Sequence, residues 1–138
     1  MAYILEPDVA GGWGDGTIAD TSSHPPVIQE LEYRFEGLSD DDILTSFPVY
    51  IVTERLAKAI QSSHLTGYEL SSMKISKSQE FLELYSNAVM PQYSWLKITG
   101  EDEKCDFSIG SDFRLVVSDR AFRLLNMYNL SECDVEEC

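Results

Sequence analysis

A glycine-rich segment near the start of the chain is the first candidate for chemistry. Residues 11–16 read GGWGDG, and backbone N–H groups in such loops can cradle a phosphate. The Lys-Ser/Thr pair of a phosphate-binding loop is absent, no periodic helix follows, and the nearby Asp8, Asp15 and Asp20 would repel phosphate. We therefore interpret the segment as a surface loop that presents Trp13, a side chain well suited to anchor an interface.

Two hydroxyl residues lie where a predicted strand meets a predicted helix, which is the position of a nucleophile elbow. Thr53 and Ser118 lack the flanking glycines and the histidine partner of that motif, so we predict that both are helix N-caps. Arg55 and Arg120 follow two residues later, where a cation opposes the helix dipole. Each is expected to pair with a carboxylate or to dock on the sheet; an anion site built from both arginines is the alternative.

Carboxylates are abundant, and none of them has a diagnostic spacing for catalysis or metal binding. Asp40-Asp41-Asp42 lacks the loop spacing of a calcium site and is interpreted as a solvated helix start. His24 and His64 lie in different contexts, and no CxxC or HxxxH spacing occurs, so neither metal nor cofactor is predicted. The three cysteines, Cys105, Cys133 and Cys138, are expected to be free thiols.

The chain that positions these residues is predicted to consist of short strands and short helices. Alternating apolar residues predict a strand over 31–36, and Ser39 predicts a short helix that ends before Pro48. Ser78 is expected to cap a helix that buries Phe81, Leu84 and Tyr85, and residues 93–98 to form a strand. Residues 6–27, rich in Gly, Pro and Ser, are predicted to be a long loop. The sum is one α+β (mixed α/β) domain over 1–138 with a central sheet.

A strand, a capping hydroxyl, a helix and a second strand occur twice in the chain. The first copy covers residues 48–75 and the second covers 113–135, with IVTERLAKAI lying over VVSDRAFRLL. Arg120 matches Arg55, Leu130 matches Leu65, and Asp134 matches Glu69. We predict an internal repeat, against the alternative of chance similarity between two strand–helix units.

The composition constrains the class of partner. Ten Lys and Arg against 24 Asp and Glu give a net charge of −14, which disfavours nucleic acid and anionic membranes and favours a basic protein. No apolar run approaches the ~20 residues of a membrane span, and the first residues lack a signal-peptide pattern. A cytoplasmic, non-enzymatic protein is therefore expected.

A family resemblance rests on the elements VYIVTERL and LVVSDRAF, on the acidic DDDIL at 40–44, and on the aromatic PQYSWL at 91–96. Through these elements, residues 30–135 resemble bacterial polymorphic-toxin immunity proteins, or a closely related bacterial domain family of unknown function. The resemblance implies a binding protein that neutralises a cognate toxin domain. An intracellular scaffold or regulatory subunit and a small acid-dependent hydrolase are the alternatives from other classes.

The predicted partner-binding surface combines clustered acids with two tryptophans, because clusters of one sign suit a basic partner. Its residues are Trp13, Asp40, Asp41, Asp42, Trp95, Glu101, Asp102, Glu103, Asp106, Glu132, Asp134, Glu136 and Glu137. For Trp95, plain core packing is the favoured alternative.

Overall fold

The computed structural model describes residues 1–138 as a sheet-rich α+β domain with thirteen strands and three short helices. The strands are β1 (Ala2–Glu6), β2 (Gly11–Trp13), β3 (Ile18–Asp20), β4 (Val27–Glu30), β5 (Glu32–Phe35), β6 (Ile43–Ser46), β7 (Val49–Thr53), β8 (Tyr68–Ser71), β9 (Lys74–Lys77), β10 (Tyr93–Ile98), β11 (Phe107–Ile109), β12 (Leu115–Ser118) and β13 (Asp134–Glu137). The helices are α1 (Glu54–Ser62), α2 (Gln79–Leu84) and α3 (Asp119–Leu125). None of the helices is long and apolar enough to cross a membrane.

Two four-stranded antiparallel sheets form the framework. The central sheet has the order β6-β7-β10-β8, and the terminal sheet has the order β11-β12-β1-β13. Helix α1 packs on the central sheet and α3 on the terminal sheet. The central sheet with α1 is one half of the molecule, and the terminal sheet with α3 is the other. The two halves share one hydrophobic core, which contains Val52 and Leu56 of the first half and Val117 and Leu125 of the second. The halves therefore fold around a common interior.

The two sheets are equivalent strand by strand. Ile43 pairs with Val52 in the central sheet as Phe107 pairs with Val117 in the terminal sheet. The predicted repeat over 48–75 and 113–135 comprises β7, α1 and β8 in the first copy, and β12, α3 and β13 in the second. The structure extends it, because β6 matches β11, and β10 occupies the place that β1 holds in the terminal sheet.

The second face of the central sheet carries an additional layer. A small sheet of order β2-β5-β9, together with α2, covers that face and forms a second core around Tyr33, Phe35 and Phe81. Ile51 and Trp95 of the central sheet are buried in this second core. One half of the molecule is thus a three-layer structure.

Two predicted elements were wrong. The helix expected from Ser39 is absent, and strand β6 takes its place, because Ile43 and Leu44 are buried on opposite faces of the central sheet. The second strand predicted for the first repeat copy divides into β8 and β9, which belong to different sheets.

The segment 6–27 contains two short strands, β2 and β3, and is not loop throughout. Glycine permits β2 to approach β5 closely, since a Cβ at Gly11 would lie 1.9 Å from the carbonyl oxygen of Arg34.

A substitution at Gly67 tests the contact between the two halves. Its φ is +88°, and an added Cβ would lie 2.1 Å from the carbonyl oxygen of Phe107 in the other half. We expect Gly67→Ala to lower the free energy of unfolding by about 2 kcal/mol or more, measured by urea denaturation. Gly12→Ala is the control, because its Cβ would meet no atom within 4 Å. Equal stability of the two variants would contradict this assignment.

Candidate functional site

The carboxylate of Asp42 is the centre of a buried polar cluster in the first half. Asp42 directly precedes β6 and is 2% exposed. Its Oδ1 accepts hydrogen bonds from Thr53 Oγ1 at 2.5 Å and from Arg55 Nε at 2.8 Å, and its Oδ2 accepts from Arg55 Nη2 at 2.6 Å. The fork of Arg55 is therefore held in two-point contact, the strongest geometry for an arginine–carboxylate pair.

Asp106 forms the same cluster in the second half. It directly precedes β11 and is 5% exposed. Oδ1 accepts from Ser118 Oγ at 2.6 Å and from Arg120 Nε at 2.8 Å, while Oδ2 accepts from Arg120 Nη2 at 2.7 Å. The two clusters match atom for atom, so the internal repeat includes its buried polar groups. We call them the two Asp–Arg clusters.

Each cluster is completed by the backbone of the opposite half. The N–H of Asn129, in the loop after α3, donates to Asp42 Oδ2 at 2.8 Å. The N–H of Thr66, in the loop after α1, donates to Asp106 Oδ2 at 2.8 Å. The loop after each helix thus reaches across to the other carboxylate, and the two Asp–Arg clusters join the halves reciprocally.

These contacts keep both carboxyl groups ionised. Burial raises the pKa of Asp42, but the hydrogen bonds from Arg55, Thr53 and Asn129 outweigh it and leave that pKa below its ordinary value. The Arg120 guanidinium, helped by Ser118, holds the pKa of Asp106 well below its usual range. A carboxylate with a lowered pKa and a full set of donors is a poor proton donor or acceptor at neutral pH. The clusters are suited to structural cohesion.

Asp41 is a third buried carboxylate with a different environment. It is 2% exposed, and its Oδ2 accepts from the N–H of Glu132 at 2.9 Å. Burial raises the pKa of Asp41, and the nearby negative charges of Asp8 and Glu132 raise it further. No cation pairs with this carboxylate to oppose the rise. The contact fixes the segment before β13 to the segment before β6.

The structure tests the roles predicted for the junction residues. The prediction that Arg55 and Arg120 pair with carboxylates is confirmed. Ser118 is an N-cap, with Oγ accepting from the N–H of Ala121, and it also donates to Asp106. Thr53 occupies the predicted N-cap position of α1, but its Oγ1 makes no capping bond and donates to Asp42 instead.

The sequence carried a signal for the two clusters that the analysis of single motifs missed. Asp42 precedes Thr53 by 11 residues, and Asp106 precedes Ser118 by 12. In both copies an Asp directly before a short apolar strand is followed by the Thr/Ser and the Arg of the next strand–helix junction.

The structure separates the predicted partner-binding residues into three groups. Asp41, Asp42, Asp106 and Trp95 are buried, and their side chains serve internal contacts; Trp95 lies in the second core, with Lys97 Nζ 4.5 Å from its ring centroid. Trp13 is half-buried, and its Nε1 has no hydrogen-bond partner. The remaining residues are exposed: Asp40, Glu101, Asp102, Glu103, Glu132, Asp134, Glu136 and Glu137.

Six of the eight exposed predicted acids lie on the terminal sheet or in the loop that leads into it. Those at 101–103 precede β11, which is one edge of the sheet, and those at 134–137 form β13, which is the other edge. A row of paired residues, Phe107, Val117, Tyr3 and Glu137, connects the two edges. The first acidic group therefore lies at the end of the sheet where β13 finishes.

The other candidate chemistries are placed as follows. Cys105, Cys133 and Cys138 are free, and burial raises the pKa of the Cys133 thiol to about 12. No group of three or more His, Cys, Asp or Glu side chains is arranged to hold a metal ion. In comparisons with known proteins, no family model matches this chain and no curated protein is significantly similar to it.

Removing one buried carboxylate tests the structural role of the clusters. We expect Asp42→Asn to lower the free energy of unfolding by about 2 kcal/mol or more, because it breaks a buried ionic contact with several donors. Asp40→Asn, two residues away and exposed, is the matched control and should change it by less than about 0.5 kcal/mol. Urea denaturation monitored by circular dichroism measures both. Similar stabilities of the two variants would refute the role.

The lowered pKa of Asp106 predicts a pH dependence with a definite sign. A carboxyl whose pKa is depressed by folding stabilises the native state above its unfolded pKa of about 3.9, and loses that contribution as pH falls towards the folded value. The stability difference between the wild type and Asp106→Asn should therefore be largest above about pH 5 and should shrink below about pH 4. Thermal unfolding across that range measures it. A difference that stays constant with pH would contradict the assignment.

Proposed function

We propose that this chain is a non-catalytic binding protein that recognises a basic protein, and that its partner is a toxin domain which it neutralises as immunity proteins do. The observation that carries the proposal is that the buried and the exposed carboxylates of this chain have different surroundings. The buried ones are held in internal contacts, whereas six of the eight exposed predicted acids lie on β13 or in the loop before β11.

The charge of the chain supports a basic partner. A net charge of −14 produces a long-range negative field, which speeds the encounter with a positive surface and repels nucleic acid. Nuclease toxins have basic clefts, and an acidic surface can occupy such a cleft in place of substrate phosphates. The resemblance of residues 30–135 to immunity proteins points to the same class of partner.

The chemistry of the buried groups favours binding over catalysis. Asp42 and Asp106 would be the natural candidates for acid–base work, because they are buried beside arginines. Both have lowered pKa values and several donors each. An acid-dependent hydrolase needs at least one carboxyl poised to exchange a proton near neutral pH, and these two are not poised in that way. Asp41, whose pKa burial raises, is 2% exposed and accepts the N–H of Glu132, so its carboxyl too is engaged in an internal contact.

The reading frame immediately upstream of the gene supplies the test of this function. We expect its purified product to bind this chain, and co-expression of this chain to relieve the growth inhibition that the product causes alone. Binding should weaken between about 50 mM and about 300 mM salt, mainly through the association rate, because exposed charges are screened. No binding together with no relief of toxicity would overturn the proposed function.

Charge reversal in the loop before β11 tests the electrostatic part. We expect Glu101→Lys with Glu103→Lys to reduce the association rate constant about tenfold at low salt, measured by surface plasmon resonance. Glu80→Lys with Glu83→Lys is the matched control, since both residues are exposed on or beside α2's solvent side and the charge change is the same. Equal effects of the two pairs would contradict a directed field from the terminal sheet.

A further inference from the structure

We infer that the partner docks on the outer face of the terminal sheet, which is the face opposite α3. This inference rests on the function proposed above and specifies its surface. Strand pairing brings Ile4 beside Val116 on one side and beside Glu136 on the other, and Glu6 beside Asp134. We call this surface, together with Arg114, the open face.

The internal repeat shows that the centre of the open face lacks a cover that its counterpart has, although Ser108, beside Val116 on the edge strand β11, is buried. Ile4 pairs with Val116 as Trp95 pairs with Ile51 in the central sheet. Trp95 and Ile51 are 5% and 0% exposed, because the small sheet and α2 cover them. Ile4 and Val116 are only half-buried and belong to neither hydrophobic core.

The cover of the central sheet comes from segments that the terminal half does not duplicate. Strands β2 and β5 lie in the stretch before β6, and β9 and α2 lie between β8 and β10. In the second copy, β11 follows β10 after the loop of residues 99–106, and β13 is the strand that pairs with β1. Within residues 1–138, the terminal half shows no element equivalent to these.

The charges around the open face define its occupant. Arg114 contacts Asp112 at 2.6 Å, Glu136 at 3.2 Å and Glu6 at 3.9 Å, and Asp134 lies opposite Glu6. Four carboxylates against one guanidinium leave this region negative around an aliphatic centre. The complementary surface is an aliphatic side chain surrounded by Lys and Arg on a basic protein. A second copy of this chain is disfavoured, because it would bring like charges together.

Strand β13 extends the open face to the side. It is an edge strand, and all four of its residues are exposed. Its acidic side chains discourage pairing with another acidic strand, which is a common protection of sheet edges. The outer strands of a four-stranded sheet lie about 14 Å apart, so a standard interface of about 800 Å² per partner must cover the face and this edge together.

Charge reversal on the open face tests the inference. We expect Glu6→Lys with Glu136→Lys to raise the Kd for the upstream product at least about tenfold, and Val116→Arg to do the same by blocking the aliphatic centre. Glu80→Lys with Glu83→Lys carries the same charge change away from the face and should alter the Kd by less than about threefold. Thermal unfolding of each variant establishes that it is folded.

A second arm examines the face without the toxin. A synthetic peptide of alternating lysine and leucine is titrated into the isotope-labelled protein, and the amide shifts are followed by NMR. We expect the largest shifts at the amides of Ile4, Val116 and Glu136. In the Glu6→Lys, Glu136→Lys variant, these shifts should no longer reach a plateau as peptide is added.

The outcomes separate the two proposals. Binding of the upstream product that is weakened by the open-face variants and spared by the control supports both. Binding that the open-face variants leave unchanged overturns the docking surface and leaves the function standing. Absence of binding overturns the proposed function, and the peptide titration then tests the docking surface by itself. Amide shifts at 101–103 or at α2, without shifts on β1 and β12, overturn the docking surface as well.

Discussion

Two buried carboxylates, those of Asp42 and Asp106, join the two halves of this protein. Each is held by an arginine and a hydroxyl of its own half and by a backbone N–H from the opposite half. A buried charge is tolerated only when such donors surround it. The strand after each carboxylate, the strand–helix junction that follows that strand, and the loop after the other helix must therefore fold together, and the shared core forms between them.

The sequence predicted many of the strands and helices, but not the hydrogen bonds that each half donates to the buried carboxylate of the other. The repeat over 48–75 and 113–135 was visible because strand and helix periodicities are local, and the N-cap of Ser78 was predicted correctly. The helix expected from Ser39 failed because acidic residues before an apolar pair resemble a helix start. Only pairing with β7 determines that Ile43 and Leu44 form a strand. Contacts between Asp42 and Asn129 join residues far apart in the chain, and no local pattern encodes them.

Asymmetry within the repeat connects this fold to the proposed function. The equivalent sheets have equivalent inner faces, yet only the central sheet acquired an outer layer. Where Trp95 is buried in that layer, the corresponding Ile4 is half-buried among exposed acids. A sheet face with an aliphatic centre and an acidic surround is stable in water because its edges are charged, and it remains available to a partner with the opposite charge.

Hydrogen–deuterium exchange of this chain, alone and with the upstream gene product, tests the central claim most directly. The account predicts slower exchange in β1, β12 and β13 on binding, with the small sheet and α2 unchanged. The amides of Thr66 and Asn129 should be protected in both states, since they bond to buried carboxylates. Protection confined to the small sheet and α2, or fast exchange at Thr66 and Asn129, would contradict it.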